Sequence, residues 1–223
     1  MEDIRTPPLS AAFHEAFPDK LILSSETASD SQHSGHVHFP KWQMSIVRLS
    51  TRPPGVNSTS KQVSAYDLYT ANFGSSPADK VFAAQDSNPF AAGEFVWTGW
   101  DYIGEPTPYY SARSSYCGII DLAGFKKDRF YLYQARWRPG LRMAHILPHW
   151  SWPERVGQLT PVHVFTAADE AELFLDGKSQ GCKTREEHSY RFRWDEVKYQ
   201  PGELRVITYK DGSKWGGQKI PCE

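Results

Sequence analysis

The stretch GEFVWTGWDYIGEPTPY, residues 93–109, opens as an apolar run and closes as a turn. Phe95, Val96 and Trp97 are adjacent, with Trp100 just beyond. Both faces of the segment are therefore expected to be buried, as in a parallel strand covered on each side. Asp101, Tyr102, Gly104, Glu105 and Pro106 follow, a mixture of acids, an aromatic and turn residues. A buried strand that delivers Trp and carboxylates at its carboxyl end is how (β/α)8 barrels assemble their sites. The same letters also fit a plain core strand followed by a Gly/Pro turn.

Upstream, residues 8–17 read PLSAAFHEAF, with Leu9, Ala12, Phe13, Ala16 and Phe17 at helical spacing. Pro18 and Asp19 stop that helix, and Leu21, Ile22 and Leu23 make a short apolar strand leading into Ser24, Ser25 and Glu26. Helix, turn, buried strand and a carboxylate at the strand end form one step of a parallel barrel. Residues 30–62 are a polar connection holding His33, His36 and His38, and residues 63–73 form a weak helical region. No carboxylate or Cys completes a metal set with those histidines, which read as solvated loop residues. Asn57-Ser58-Thr59 is a glycosylation sequon, meaningful only in a secreted chain.

Downstream, a short apolar piece at Gly118–Asp121 precedes a helix expected over 127–138. Phe130, Leu132, Tyr133 and Trp137 would face one way, with Lys127, Arg129 and Arg136 largely away. Pro139-Gly140 ends the helix, which suits the last helix of a barrel. From about His145 the period changes to two. Val162, Val164 and Thr166 alternate with their neighbours, as do Tyr190, Phe192 and Trp194, and then Leu204, Val206 and Thr208. Asp176-Gly177 and Asp211-Gly212 are hairpin signals. Short alternating strands at this spacing describe a small β-sandwich.

Composition narrows the function classes. The 223 residues are 39% hydrophobic, enough for a packed core, and the formal charge is −1. That balance argues against nucleic acid or an anionic membrane as partner. Cys117, Cys182 and Cys222 are too few and scattered for a disulfide framework or a paired-cysteine metal site. The amino terminus MEDIRTPPLS lacks the apolar core of a signal peptide, and no run approaches a membrane span. Cellular location stays open.

Four segments carry a resemblance to glycoside hydrolase family 2, in particular its β-galactosidase-like members. They are LILSSETAS (21–29), the 93–109 stretch, RSSYCGIIDLAGFKKDRFYLYQARW (113–137) and PHWSWPERVGQLTPVHVFTAADEAELFLDGKSQG (148–181), in the family's order. The resemblance implies an α+β multidomain chain. Residues 1–144 would be the carboxyl-terminal part of a (β/α)8 TIM barrel, and residues 145–223 an immunoglobulin-like β-sandwich. The implied chemistry is hydrolysis of a terminal β-glycoside, a β-galactoside or related oligosaccharide, with retention and no cofactor or metal.

In that family the Glu of the Ser-Glu-Thr motif is the nucleophile, which maps onto Glu26. Trp97 would form the apolar floor under the sugar ring. Asp101 and Glu105 would accept hydrogen bonds from sugar hydroxyls, or else cap the loop or pair with Arg113. Retaining glycosidases also need an acid/base, carried in this family by an Asn-Glu pair. Here Asn57, Asn72 and Asn88 precede Ser, Phe and Pro, so the pair is missing. His33-Ser34-Gly35 also stands where the family tends to have Ser-Arg-Gly. The expectation is a truncated chain whose proton donor comes from another polypeptide or from a missing part of this one, such as the amino-terminal half of the enzyme. The alternatives are a non-catalytic carbohydrate-binding remnant and a complementing subunit of a split glycosidase.

Overall fold

The computed structural model describes residues 10–28, 66, 77–106 and 112–221. The histidine loop and the sequon lie outside the described residues, as does the weak helical region apart from Tyr66. The chain separates into two compact units, Met1–Lys127 and Asp128–Glu223.

In the first unit, helix α1 (Ser10–Ala16) is short and closes as the Phe17 N–H donates to the Phe13 carbonyl. Pro18 cannot continue it. Strand β1 (Ile22–Thr27) follows, then helix α2 (Ala78–Ser87) and strand β2 (Ala91–Val96). The two strands pair in parallel, with Ile22 opposite Ala91, Ser24 opposite Glu94 and Thr27 opposite Val96. Glu26 thus lies within its strand rather than after it. Among the described residues the parallel sheet has these two strands, and a partial barrel is not shown.

The expectation that the 93–109 strand is covered on both faces is not met. Phe95 is 61% exposed, Leu23 on the neighbouring strand is 55% exposed, and Leu21 just before that strand is 91% exposed. An uninterrupted apolar run does not by itself supply a layer to cover it.

The second unit opens with helix α3 (Asp128–Trp137) and continues through seven strands. These are β3 (His145–Leu147), β4 (Val162–Phe165), β5 (Glu170–Leu175), β6 (Lys178–Thr184), β7 (Phe192–Trp194), β8 (Leu204–Lys210) and β9 (Ser213–Ile220). They form two antiparallel sheets, in the orders β3-β4-β7 and β6-β5-β8-β9. Both hairpins use the turns read from the sequence. Asp176 and Gly177 have φ of 47° and 74°, and Asp211 and Gly212 have 51° and 69°. Two successive left-handed residues match the twist of the flanking strands, which is why Asp-Gly is favoured there.

One core joins the sheets. Val162, Val164, Phe192 and Trp194 of the first meet Leu173, Leu175, Leu204 and Val206 of the second, with Trp150 and Tyr199 at its end. The result is a β-sandwich.

Alternation predicts a wet outer face for β4, yet His163 and Phe165 are as buried as the core valines. Helix α3 covers that side. The Tyr131 ring stacks on His145 at 3.8 Å, His145 stacks in turn towards Phe165 at 6.1 Å, and His145 Nε2 lies 2.6 Å from Asp128 Oδ1. Leu132, Tyr133 and Arg129 of α3 are buried, whereas Trp137 is exposed. The helix faces read from sequence are therefore wrong for Arg129 and Trp137. A guanidinium can lie under a helix where its long stem packs and its head finds acceptors.

A segment spanning 128–223 is expected to unfold cooperatively. Shortening it to 145–223 should cost at least about 2 kcal/mol, because the outer face of Phe165 loses its cover. Urea denaturation of the two segments checks this, and equal midpoints would contradict it.

Candidate active site

The four residues singled out from sequence all lie in the first unit. Glu26 is the penultimate residue of β1, and Trp97 follows the last residue of β2. The Trp97 N–H donates to the Thr27 carbonyl at 2.8 Å, so Glu26 and Trp97 reach the same end of the parallel pair, on either side of the Thr27–Val96 pairing. Thr27 is buried and donates its hydroxyl to Glu94 Oε2 at 2.6 Å. That bond fastens the strand ends side by side. Glu26 is half-buried, and among the described residues it has no hydrogen-bond or ion-pair partner. Its carboxylate is available for chemistry. The Trp97–Thr98 peptide is cis.

Asp101 points inward. Its Oδ1 accepts from Lys127 Nζ at 2.7 Å and from the Gly118 N–H at 2.8 Å. Lys127 is fully buried and also donates to the Tyr116 carbonyl at 3.1 Å. Burial pushes the Asp101 carboxyl above the ordinary carboxylate value, and the Lys127 charge pulls it back. The pair ties the loop after β2 to the segment 112–127, with backbone bonds from Asp101 N to Ile120 O and from Ser115 N to Tyr102 O, each 2.8–2.9 Å.

Gly118 makes this approach possible. A Cβ there would stand 2.1 Å from the Asp101 nitrogen. The carboxyl also borders a cavity of about 210 Å³ whose lining mixes Ser114, Tyr116, Asp121 and Lys127 with the apolar Leu122 and Ala123. Cutting one member of such a buried pair strands the other charge. Lys127→Met is accordingly expected to destabilise the first unit by about 3–5 kcal/mol. The check is thermal denaturation of the full chain, where an unchanged first transition would refute the tie.

Glu105 is exposed and left-handed, with φ of 44°. Its Oε2 accepts from the Tyr102 hydroxyl at 3.1 Å, and that hydroxyl oxygen accepts from Trp97 Nε1 at 2.9 Å. The rings of Trp97 and Tyr102 meet edge to face, with centroids 6.1 Å apart. Sequence reasoning missed Tyr102 and Lys127. A tyrosine five residues past the tryptophan carries no pattern until the loop folds back. The same is true of a lysine placed nominally on the outer face of a helix.

The structure thus places Glu26 and Trp97 at the same end of the parallel pair, and links Glu105 to Trp97 through Tyr102. Asp101 is engaged with Lys127. Among the described residues no group of three or more His, Cys, Asp or Glu side chains is placed to hold a metal ion. Also among them, no helix is long and apolar enough to cross a membrane.

The described residues thus hold a parallel strand pair with Glu26 and Trp97 at its carboxyl end and, later in the chain, a β-sandwich. Residues 157–216 match a family described as a domain of unknown function, DUF4982. The chain is 39% identical over 198 residues to the β-galactosidase BoGH2A of Bacteroides ovatus, covering 88% of this chain and 23% of that one. It is 32% identical over 128 residues to a β-glucuronidase of Bacteroides fragilis, covering 54% and 18%. A crystal structure of a β-glycosidase from Bacteroides vulgatus superimposes with a TM-score of 0.74 at 27% identity, over 96% of this chain and 29% of that one. The chain belongs to glycoside hydrolase family 2. It spans about a quarter of the length of the β-galactosidase it matches.

Proposed function

We propose that this chain carries the nucleophile side of a retaining β-glycosidase site. The observation that supports it is the placement of an unpartnered Glu26 just before, and Trp97 just after, the Thr27–Val96 pair at the carboxyl ends of two parallel strands. Glu26 attacks the anomeric carbon from one face of the sugar. The bond from that carbon to the leaving oxygen breaks as the bond to the carboxylate forms, and an acid hands its proton to the departing oxygen. Water then releases the sugar from the glycosyl ester, with the same group acting as base. Trp97 supports the apolar face of the pyranose.

No Asn-Glu pair occurs in the sequence, so the acid comes from outside these residues. In this reading the first unit belongs to the carboxyl-terminal part of a closed barrel, which would take in residues 1–144 and be followed by an immunoglobulin-like sandwich over 145–223. Its large exposed apolar side chains, Leu21, Leu23 and Phe95, favour that reading, since closure of a barrel would cover them. The substrate is a β-galactoside, following the β-galactosidase relative, with a β-glucuronide as the competing sugar given the glucuronidase relative.

Pairing the chain with the amino-terminal portion of a family member tests this. Turnover of an aryl β-galactoside above that of the aryl β-glucuronide is expected. The reverse preference would replace the substrate, and no turnover with either, from a complex shown to form, would remove the catalytic reading.

A further inference from the structure

We infer that Tyr102 is a positioning residue for the Trp97 indole, and that Glu105 acts through Tyr102 rather than as a sugar ligand. The inference rests on the reading of Trp97 as the floor of the sugar site. An indole has one donor and no acceptor, so a single directional bond fixes the rotation of its ring. Here that bond runs from Trp97 Nε1 to the Tyr102 oxygen at 2.9 Å. A phenol that accepts from the indole still has its own proton to place. It goes to Glu105 Oε2 at 3.1 Å, which orients the phenol with its oxygen lone pair towards the tryptophan. Burial and the neighbouring carboxylate push the Tyr102 phenol above its ordinary value, which keeps that proton in place at working pH.

The backbone on either side is clamped. Tyr102 N–H donates to Ser115 Oγ at 3.2 Å, the Tyr102 carbonyl accepts from the Ser115 N–H at 2.9 Å, and Gly104 N–H donates to the Arg113 carbonyl at 2.9 Å. The relay therefore hangs from a loop fixed to its neighbour, and the ring edge of Tyr102 also buttresses the indole. Glu105 has its carboxylate committed to Tyr102 from a left-handed backbone position that a side chain adopts at a cost. A floor held at a fixed tilt keeps the sugar's reacting carbon in line with Glu26, which is where small misplacements are most costly.

The test uses the full chain labelled with 5-fluorotryptophan, alone and paired with an unlabelled amino-terminal portion. The resonance of residue 97 is assigned by its loss in Trp97→Phe. Tyr102→Phe is expected to move that resonance while those of the sandwich tryptophans stay put. An unmoved resonance in a folded variant overturns the relay. In the paired enzyme, Tyr102→Phe should raise KM for an aryl β-galactoside about three- to tenfold, with kcat much less affected.

Glu105→Gln should add little in the Tyr102→Phe background, because its effect passes through that phenol. Full additivity would instead make Glu105 an independent ligand and overturn its assigned role. A moved resonance combined with a KM indifferent to Trp97→Ala would sink the sugar-floor reading while leaving the relay standing. The two failures are thereby distinguishable.

Discussion

Purified by itself, the chain is expected to hydrolyse no aryl β-galactoside at a measurable steady rate. A barrel protects its strand edges only by closing, and closure requires strand number, tilt and shear to agree. The parallel sheet of the described residues has two strands, with Leu21, Leu23 and Phe95 in water. Exposed apolar faces beside an open strand edge favour pairing with other chains, so the first unit should sediment as oligomers. Two deficits then act on the chemistry. A positioned proton donor typically contributes about 10²–10⁴-fold, and the sequence holds no Asn-Glu pair to supply it. Preorganised dipoles around the developing charge, often the larger contribution, would in the proposed reading come from the remaining strands of a closed barrel. Turnover by the monomeric chain that disappeared in Glu26→Gln would show that an acid lies within these residues, and the truncated reading would fall.

The sandwich was legible because its signals are local. Alternation of period two and two Asp-Gly turns suffice to place hairpins, and the turns have the backbone angles those residues favour. What covers a strand was not legible. Phe95 and Val96 looked buried on both sides, but burial needs a partner layer that no local pattern announces. Conversely β4 read as one-sided, and α3 covers its outer face through Tyr131 and His145. Among the site residues, Glu26 and Trp97 were placed by motif, and the parallel register then put them at the same end of the strand pair, on either side of the Thr27–Val96 pairing. The contacts of Asp101 and Glu105 depend on Lys127 and Tyr102, residues brought near by loop folding rather than by spacing.

Glu26→Gln should abolish activity in any pairing that restores it. The carboxylate is half-buried, at a strand end, with no partner among the described residues to share its charge. An amide of the same shape keeps the packing and loses the proposed nucleophile. A fall on the order of 10⁴-fold or more in kcat is expected, the scale seen when covalent enzymes lose a member of their reacting set. Substrate binding through Trp97 should be retained, so the loss falls on kcat rather than on KM. Because Glu26 sits on a strand whose neighbours Thr27 and Glu94 fasten the sheet end, the variant should also keep the parental thermal transition. A kcat within tenfold of the parent would move the nucleophile elsewhere.

The most direct measurement is covalent capture. A mechanism-based fluorosugar forms the glycosyl ester and slows its hydrolysis, so the nucleophile keeps the sugar through proteolysis. Applied to the restored enzyme and mapped by mass spectrometry, the added mass should reside on the peptide containing Glu26 and be missing from the Glu26→Gln variant. Label on another carboxylate, Glu105 or Glu94 in particular, would contradict the assignment on which this account of the site is built.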